Sequence, residues 1–599
     1  MNKIKLIPLF LLLFISAEGQ GEKKLVILHT NDLHSRLNGF APESLYSPMT
    51  ADDDKTQGGF ARIAGIINKE KKENKGITLV CDAGDFLMGT LFHTVEISEG
   101  FQLRLMKTMG YDVVSFGNHE FDFGPEKLAA IVSQSKKKGE IPSLILGNAI
   151  FSKKDPGDDA LEALFTGKVI EKKKIIEKEG LKIGFFSILG KDAADVAPLS
   201  KPLRFRKAVP FARKMVKELK SAGCNIIICL SHSGVERNKK GSWAGEDVKL
   251  AKKVRGLDLI ISGHTHTELE EPLIVKGIPI VQTGEYGRNV GRLEITWSPA
   301  GIKVDNYRLI AVTDDIEGDK DVQDLIEEQQ DLINREILRP LGLEYIKPVA
   351  ENDFLLECNE SGDFKNSNLG PLVADAIHYY INRNTREGTN VSMVAVGIIR
   401  DKIVPGIQTP ADIFRVMSLG SGKDKVPGYP LARLYVTGKE LKNILEILQI
   451  AYKSAPSHFC YYSGIRVEYD PGKGFMKKIR RIRIISPDGN ETEVDFSKKN
   501  NRLYSVSANS YMLEFIGIIK KMSFGLVNVV PKYGDGTRIT DMSTSVIDMD
   551  GNEAGIQEGK EWLALLEYIA SMNDSDNNGI PDIDRRYVFP SETFFETQK

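Results

Sequence analysis

Short apolar runs alternate with helix-like stretches through the first three hundred residues. The runs are Leu25–Leu28, Ile77–Cys81, Val113–Phe116, Ile183–Ile188, Ile226–Leu230, Leu257–Ile261 and Ile278–Val281, four to six residues each and mostly rich in Val and Ile. They are nearly continuous rather than alternating, as strands buried on both faces are. Between them, Phe60–Lys69 and Lys207–Ala222 place apolar residues at helical spacing. The pattern predicts a layered α/β domain over about residues 23–312. Val322, Leu325, Ile326, Leu332, Ile333 and Ile337 then share one face of a helix over Asp321–Leu338, stopped by Pro340. That helix is expected to link two domains, across residues 313–345. Strand-like Lys477–Ile485 and Arg502–Ala508 and helix-like Gly438–Tyr452 predict a smaller α+β domain over 346–560, with 561–599 as a tail.

Composition sharpens the picture in three ways. A chain of 599 residues exceeds what one core ordinarily holds, so more than one domain is expected. Lys and Arg number 80 against 82 Asp and Glu, a net charge of −2, which removes any charge argument for a nucleic-acid polymer or a membrane surface as partner. Residues 1–21 have the pattern of a signal peptide: Lys3 and Lys5, an apolar run from Ile4 to Ala17, then small Ala17 and Gly19. The run is shorter than the about 20 residues a spanning helix needs. Export to the periplasm or outside the cell is therefore expected ahead of an uncleaved anchor. Of the five cysteines, Cys81, Cys224 and Cys229 lie in apolar runs and read as small core residues, while Cys358 and Cys460 are free to pair in an oxidising compartment. The chain has no CxxC, which argues against a thiolate metal site.

The chemistry lies where the apolar runs end. Five motifs sit there: His29-Thr30-Asn31-Asp32-Leu33-His34, Gly84-Asp85, Gly117-Asn118-His119-Glu120-Phe121-Asp122, Ser231-His232-Ser233-Gly234 and Gly263-His264-Thr265-His266. In open α/β sheets the ligand crevice lies beyond the carboxyl ends of the strands, so these segments are expected to converge. They contain six of the chain's nine histidines. Asp32 and His34, two apart on an extended segment, would point the same way and hold one ion; the His264/His266 pair offers further donors. Asp85, after a glycine turn, is placed to bridge two ions. Carboxylate, imidazole and amide donors suit zinc, manganese or iron. Two such ions about 3.5–4 Å apart clamp a phosphoryl group and activate a water near neutral pH. Any one motif alone is an ordinary polar pair; the five in this order are not. His29, before the turn, is expected to support the fold. His93, His378 and His458 have no motif context and read as core or surface, with His93 close to the site mouth in sequence.

This order of motifs resembles the calcineurin-like metallophosphoesterases, and Ile27–His34 with Gly117–Gly124 is similar to their 5′-nucleotidase family, which pairs a metal domain with a C-terminal substrate domain. The resemblance implies one metal on Asp32, His34, Asp85 and His266 and a second on Asp85, Asn118, His232 and His264. It also implies a catalytic dyad of His119 and Asp122, whose carboxyl also suits a helix N-cap. Ser367–Ala376 resembles the family's entry motif, with Pro371 where Asn is usual. The Asn-Gly-Gly-Ile-Arg segment reads Ala395 to Arg400 and keeps the Arg; Asp363 and Lys365 stand near the place of another Arg. The family's Pro-Phe reads Ser418-Leu419, and its late Gly-Gly-Asp-Gly-aromatic stretch shrinks to Tyr533-Gly534-Asp535-Gly536. Arg400, Tyr511 and Tyr533 are the substrate-binding candidates, the tyrosines as stacking partners for a base or as plain filler.

The expected activity is hydrolysis of a small phosphoester, a nucleotide first, by a water activated on two metals with the His-Asp dyad. The alternatives are a nucleotide-sugar or 2′,3′-cyclic-nucleotide substrate, a sulfur-ester hydrolase on the same scaffold, or a silent binding protein. A separate feature is the run Asp574 to Asp584. Asp574, Asp576, Asn578 and Asp582 fall at calcium-loop positions around Gly579, though Arg585 stands where a bidentate acid belongs. It reads as a calcium loop or as a solvated acidic turn.

Overall fold

The computed structural model describes residues 21–358, 367–451, 459–514, 529–589 and 595–597. The expectations for the signal peptide, Asp363, Lys365 and His458 lie outside these residues.

The apolar runs become the inner strands of two facing sheets. In chain order the strands are β1 Lys23–Thr30, β2 Ile77–Asp82, β3 Val113–Ser115, β4 Ser143–Ile145, β5 Ile170–Glu171, β6 Lys173–Lys178 and β7 Leu181–Leu189. There follow β8 Ile226–His232, β9 Leu259–Ser262, β10 Leu273–Val275, β11 Ile278–Val281, β12 Asn289–Ser298 and β13 Gly301–Ala311. One sheet runs β13-β12-β1-β2-β3-β4-β5 and the other β10-β11-β9-β8-β7-β6. Burial on both faces follows from the period-2 alternation of side chains. Leu25 and Ile27 of β1 meet Ile226, Ile228 and Leu230 of β8 between the sheets. Val26 and Leu28 face the opposite way, onto Phe60, Ile63 and Ile67 of helix α1, Phe60–Glu73. Ile227 and Cys229 pack on Met215 and Leu219 of helix α2, Ala208–Ser221. The layers are therefore helix, sheet, sheet, helix. β1, β2 and β3 run parallel, as do β8 and β9, so their carboxyl ends share one edge of the sandwich.

Helix α3, Lys320–Ile333, carries the apolar stripe and widens into a π-helical turn, Asn334–Leu338, before a 3-10 turn, Arg339–Leu341, with Asp319 accepting the N–H of Val322 as its cap. The second domain holds a sheet of β14 Val391–Ala395, β15 Leu431–Thr437, β16 Cys460–Ser463 and β17 Leu503–Asn509, ordered β15-β17-β14-β16. Helix α4, Leu369–Asn384, covers one face and α5, Pro410–Val416, leads toward the first domain. The segment expected to be a tail instead supplies helix α6, Glu561–Ala570. Its Trp562, Leu565, Leu566 and Ile569 lie at i, i+3, i+4 and i+7 and are buried in the same core as α4 and α5. The boundary near 560 thus cuts through packed structure. No disulfide joins any two of the five cysteines, so Cys358 and Cys460 do not pair.

Ion pairs buried between the domains fix how they meet. Arg415 of α5 donates through Nη1 to Glu43, through Nε to Asp401 and through Nη2 to Asp412, at 2.7, 3.1 and 2.8 Å. Arg36 of the first domain donates to the same Asp401 carboxylate at 2.7 Å, and Tyr345 donates to Glu43 at 2.5 Å.

Candidate active site

The five strand ends meet at the shared edge. Asp32, His34 and His266 bring donor atoms within 4.8 Å of one another, as do Asp85, His232 and His264, and as do His34, Asp85 and His119. Asp85 stands in groups on both sides. His34 Nε2 lies 3.2 Å from His266 Nε2, and His232 Nε2 lies 3.0 Å from Asp85 Oδ2. Asn118 Oδ1 is buried with no hydrogen-bond donor. These are borderline nitrogen and oxygen donors converging from several sides, with an orphaned amide oxygen on the residue before His119, and the set fits divalent cations.

The local backbone differs from the extended segments that the two-apart spacing implies. Asp32, His34, Asp85, His264 and His266 all have positive φ, of 52°, 49°, 58°, 83° and 51°. The chain turns sharply after each strand, and these turns, rather than strand alternation, aim the side chains. Hydrogen bonds hold the turns: His34 N–H donates to Asp85 O at 2.9 Å, and His264 N–H to Asp32 Oδ2 at 3.0 Å. Glu120 is the deepest tie. Its buried carboxylate accepts the N–H groups of Asp85, Leu87 and Gly117 at 3.0, 2.9 and 2.5 Å. Gly117 itself is needed for room, since a Cβ there would stand 2.2 Å from Asp85 Oδ1.

The electrostatics are those of a carboxylate cluster. Burial disfavours charge on His232, but Asp85 and Asp32 outweigh it and raise its pKa to about 10. His266 follows the same course, burial being overcome by Asp32 and Glu285, again to about 10. Burial and the neighbouring His119 lower His34. Two carboxylates outside the five motifs back the paired histidines: Glu285 binds His266 Nδ1, and Asp192 lies 3.1 Å from His264 Nε2. Nothing in the sequence spacing points to either, because their segments join the site only through the fold.

His119 Nδ1 pairs with Asp122 Oδ2 at 2.6 Å. On its other side, Arg400 of the second domain brings Nη2 to 3.3 Å from His119 Nε2. Tyr511 stacks on Tyr429 with ring centroids 5.2 Å apart, and Tyr533 is 37% exposed with its hydroxyl on Thr544. Neither tyrosine lines the cavity beside His119 and Arg400. His29 is buried against Tyr307, and burial lowers its pKa to about 3. His93 is core rather than mouth: it is buried between Phe123 and Phe414 and accepts the Gly89 N–H. His378 is half-buried. In the last loop, Asp574, Asp576 and Asp582 bring carboxylate oxygens within 4.8 Å, and Asn578 donates to Glu351 at 2.6 Å.

A two-sheet sandwich with these donors at its edge defines a metal-dependent phosphoester hydrolase. Residues 25–268 match the model of the calcineurin-like phosphoesterases, and residues 350–517 match that of the 5′-nucleotidase C-terminal domain. With both domains present in that order, the chain belongs to the 5′-nucleotidase family. It is 26% identical over 546 residues to the mouse 5′-nucleotidase, covering 84% of this chain and 86% of that one. The trifunctional nucleotide phosphoesterase protein YfkN of Bacillus subtilis is 26% identical over 517 residues, but this chain spans only 32% of its length. Among solved structures, a 5′-nucleotidase precursor from Thermus thermophilus shares the fold with a TM-score of 0.64 and 20% identity, over 94% of this chain and 99% of that one. The sulfate thiohydrolase SoxB from the same organism shares it at 0.61 and 18%, over 96% of each chain. No helix among the described residues is long and apolar enough to cross a membrane.

Proposed function

We propose that this protein removes phosphate from nucleotides, with two divalent cations, zinc, manganese or iron, held at the edge of the sandwich. Asp32, His34, Asp85 and His266 are assigned to one cation and Asp85, Asn118, His232 and His264 to the other. When bound, the pair supplies Lewis acidity for the phosphoryl group and for an attacking water. The observation that carries the reading is the convergence of six of these side chains, all but Asn118, beside the His119–Asp122 pair and Arg400.

The chain's own groups divide the remaining work. Asp122 accepts the Nδ1 proton of His119 and fixes the ring, leaving Nε2 to donate to a phosphoryl or leaving-group oxygen. Arg400, beside that nitrogen, adds a cation for the same oxygens. Glu285 and Asp192 orient His266 and His264 from behind. Nucleotides as the substrate class are supported by the names of the relatives, and export by the apolar run Ile4–Ala17. Calcium at the 574–582 loop is supported by its three carboxylates. A calcium-dependent rise in Tm, absent in Asp576→Asn, tests that part.

The main test is phosphate release with added manganese or zinc, from AMP, UDP-glucose, 2′,3′-cyclic AMP and p-nitrophenyl phosphate. Turnover of AMP that is lost in His119→Ala supports the reading. Turnover of p-nitrophenyl phosphate alone keeps the metal chemistry and sinks the nucleotide assignment. No turnover with metals loaded sinks both.

A further inference from the structure

Arg36 follows His34 by two residues, and its side chain is almost wholly buried. One N–H, from Nη2, goes to Asp401. Its Nε and Nη1 are buried with no acceptor, and so is the hydroxyl of Ser418. The contrast with Arg415 is informative, since that guanidinium gives Nε, Nη1 and Nη2 each to an acid. Buried polar groups are paired as a rule, and a buried cation with two idle donors marks a place for an acceptor that the protein itself does not supply.

Arg36 and Ser418 line one cavity, together with His34, His119, Arg400 and Arg415. No carboxylate is among its lining residues. Its volume of about 10 Å³ suits a single oxygen-sized occupant. The Arg36 guanidinium lies 4.3 Å from the ring centroid of Tyr286, and that ring meets those of His34 and His266 at 5.5 and 5.9 Å. Arg36 therefore stands one side chain back from the metal donors. Ser418 is also one of the positions where this chain departs from the family's pattern, a hydroxyl replacing a proline.

We propose that Arg36 and Ser418 form an anion subsite that receives one oxygen of a second anionic group of the substrate, next to the phosphoryl group that is transferred. The proposal rests on the phosphohydrolase reading and narrows it to phosphoesters that carry adjacent negative charge. Arg36 supplies two charge-assisted donors and Ser418 a third, in the cavity that His119 also lines.

The test uses the full, manganese-loaded protein and titrates two probes, inorganic phosphate and methylenediphosphonate, into wild type, Arg36→Lys and Ser418→Ala. Bound manganese and Tm are measured for each. Lysine can keep the Asp401 contact but lacks the fork of donors. The expected result is a tenfold or greater loss of diphosphonate affinity in Arg36→Lys, with phosphate affinity falling much less. Ser418→Ala should lose about threefold on the diphosphonate without a lower Tm, because the hydroxyl it deletes has no partner. Chelation by the metals alone would survive both substitutions. Equal losses for both probes, or none in either variant at full manganese content, overturn the subsite and leave the cavity to water. If Arg36→Lys does not fold, Ser418→Ala decides. Wild-type turnover of p-nitrophenyl phosphate is followed alongside. Its absence overturns the phosphohydrolase reading itself, whereas turnover with unchanged probe selectivity overturns only the subsite.

Discussion

Glu120→Gln changes almost no volume, yet it should loosen the centre of the site. The wild-type carboxylate accepts the N–H of Asp85 and Gly117 on one oxygen and that of Leu87 on the other. A carboxamide has one acceptor end and one donor end. In its better orientation the oxygen keeps Asp85 and Gly117, and the NH2 group faces the Leu87 N–H. One buried donor is then orphaned, at about 1–3 kcal/mol. Burial and the neighbouring Asp85 raise the Glu120 carboxyl to about 8, so above that pH, where the wild type is ionised, the two surviving bonds also lose their charge assistance, about half their strength. At about pH 9 a total of about 2–4 kcal/mol follows, and at ~2–4 °C per kcal/mol for a large domain the melting temperature falls by roughly 4–16 °C. Calorimetry in chelator isolates this from metal binding. The loop carrying Asp85 and the loop carrying Asn118 and His119 also lose their common tie, so turnover with added manganese should drop together with stability. A melting shift below about 1 °C with unchanged turnover would refute the idea that this carboxylate holds the two loops.

Further outcomes are expected elsewhere. His119→Ala should lower kcat by about 10²–10⁴ with bound metal unchanged, and Asp122→Asn by less, since it disturbs only the orientation of the ring; equal effects would sink that division of roles. Burial raises the Glu96 carboxyl to about 8, so the folded state keeps its proton where the unfolded state has lost it. That contribution is complete below 4.5, the ordinary value of a glutamate carboxyl, and is lost as pH rises toward about 8, at about 1.4 kcal/mol per unit. Glu96→Gln should flatten the stability–pH curve over that window, and denaturation curves that stay parallel at pH 5, 6.5 and 8 would count against it. Arg415→Met leaves Glu43, Asp401 and Asp412 without their shared cation and should cost about 3–5 kcal/mol; a fall of less than about 1 kcal/mol in urea unfolding would show that the acids find other partners.

The strands of the first domain were readable because runs such as Ile226–Leu230 and Ile278–Val281 are buried on both faces and hence continuous in the sequence. The candidate metal donors stood out for a related reason: each follows closely on such a run. Three features were not. The aiming of Asp32 and His34 comes from left-handed turns, which spacing alone does not reveal. The partners Glu285 and Asp192 lie on segments whose approach to His266 and His264 is purely tertiary. Arg415, within an ordinary helical stretch, looks like a surface charge until Glu43, 372 residues away, is placed against it. The acidic composition beyond residue 570 hid the apolar helix α6 just before it.

The left-handed turns limit how this site can drift. Five of the proposed donor residues sit at positive φ, where most side chains cost of order 1–3 kcal/mol and Asp, Asn and His are among the few non-glycine residues that are at ease. The side chains that suit the metals are thus also the ones the backbone tolerates. A valine or isoleucine arriving at Asp32 or His266 would be penalised twice, once by the lost donor and once by the turn. Asparagine, in contrast, would spare the backbone and keep a weaker donor. Neutral exploration at these positions is therefore confined to a handful of residues. The same asymmetry makes Asp→Asn and His→Asn, rather than alanine, the substitutions that report on donor chemistry alone.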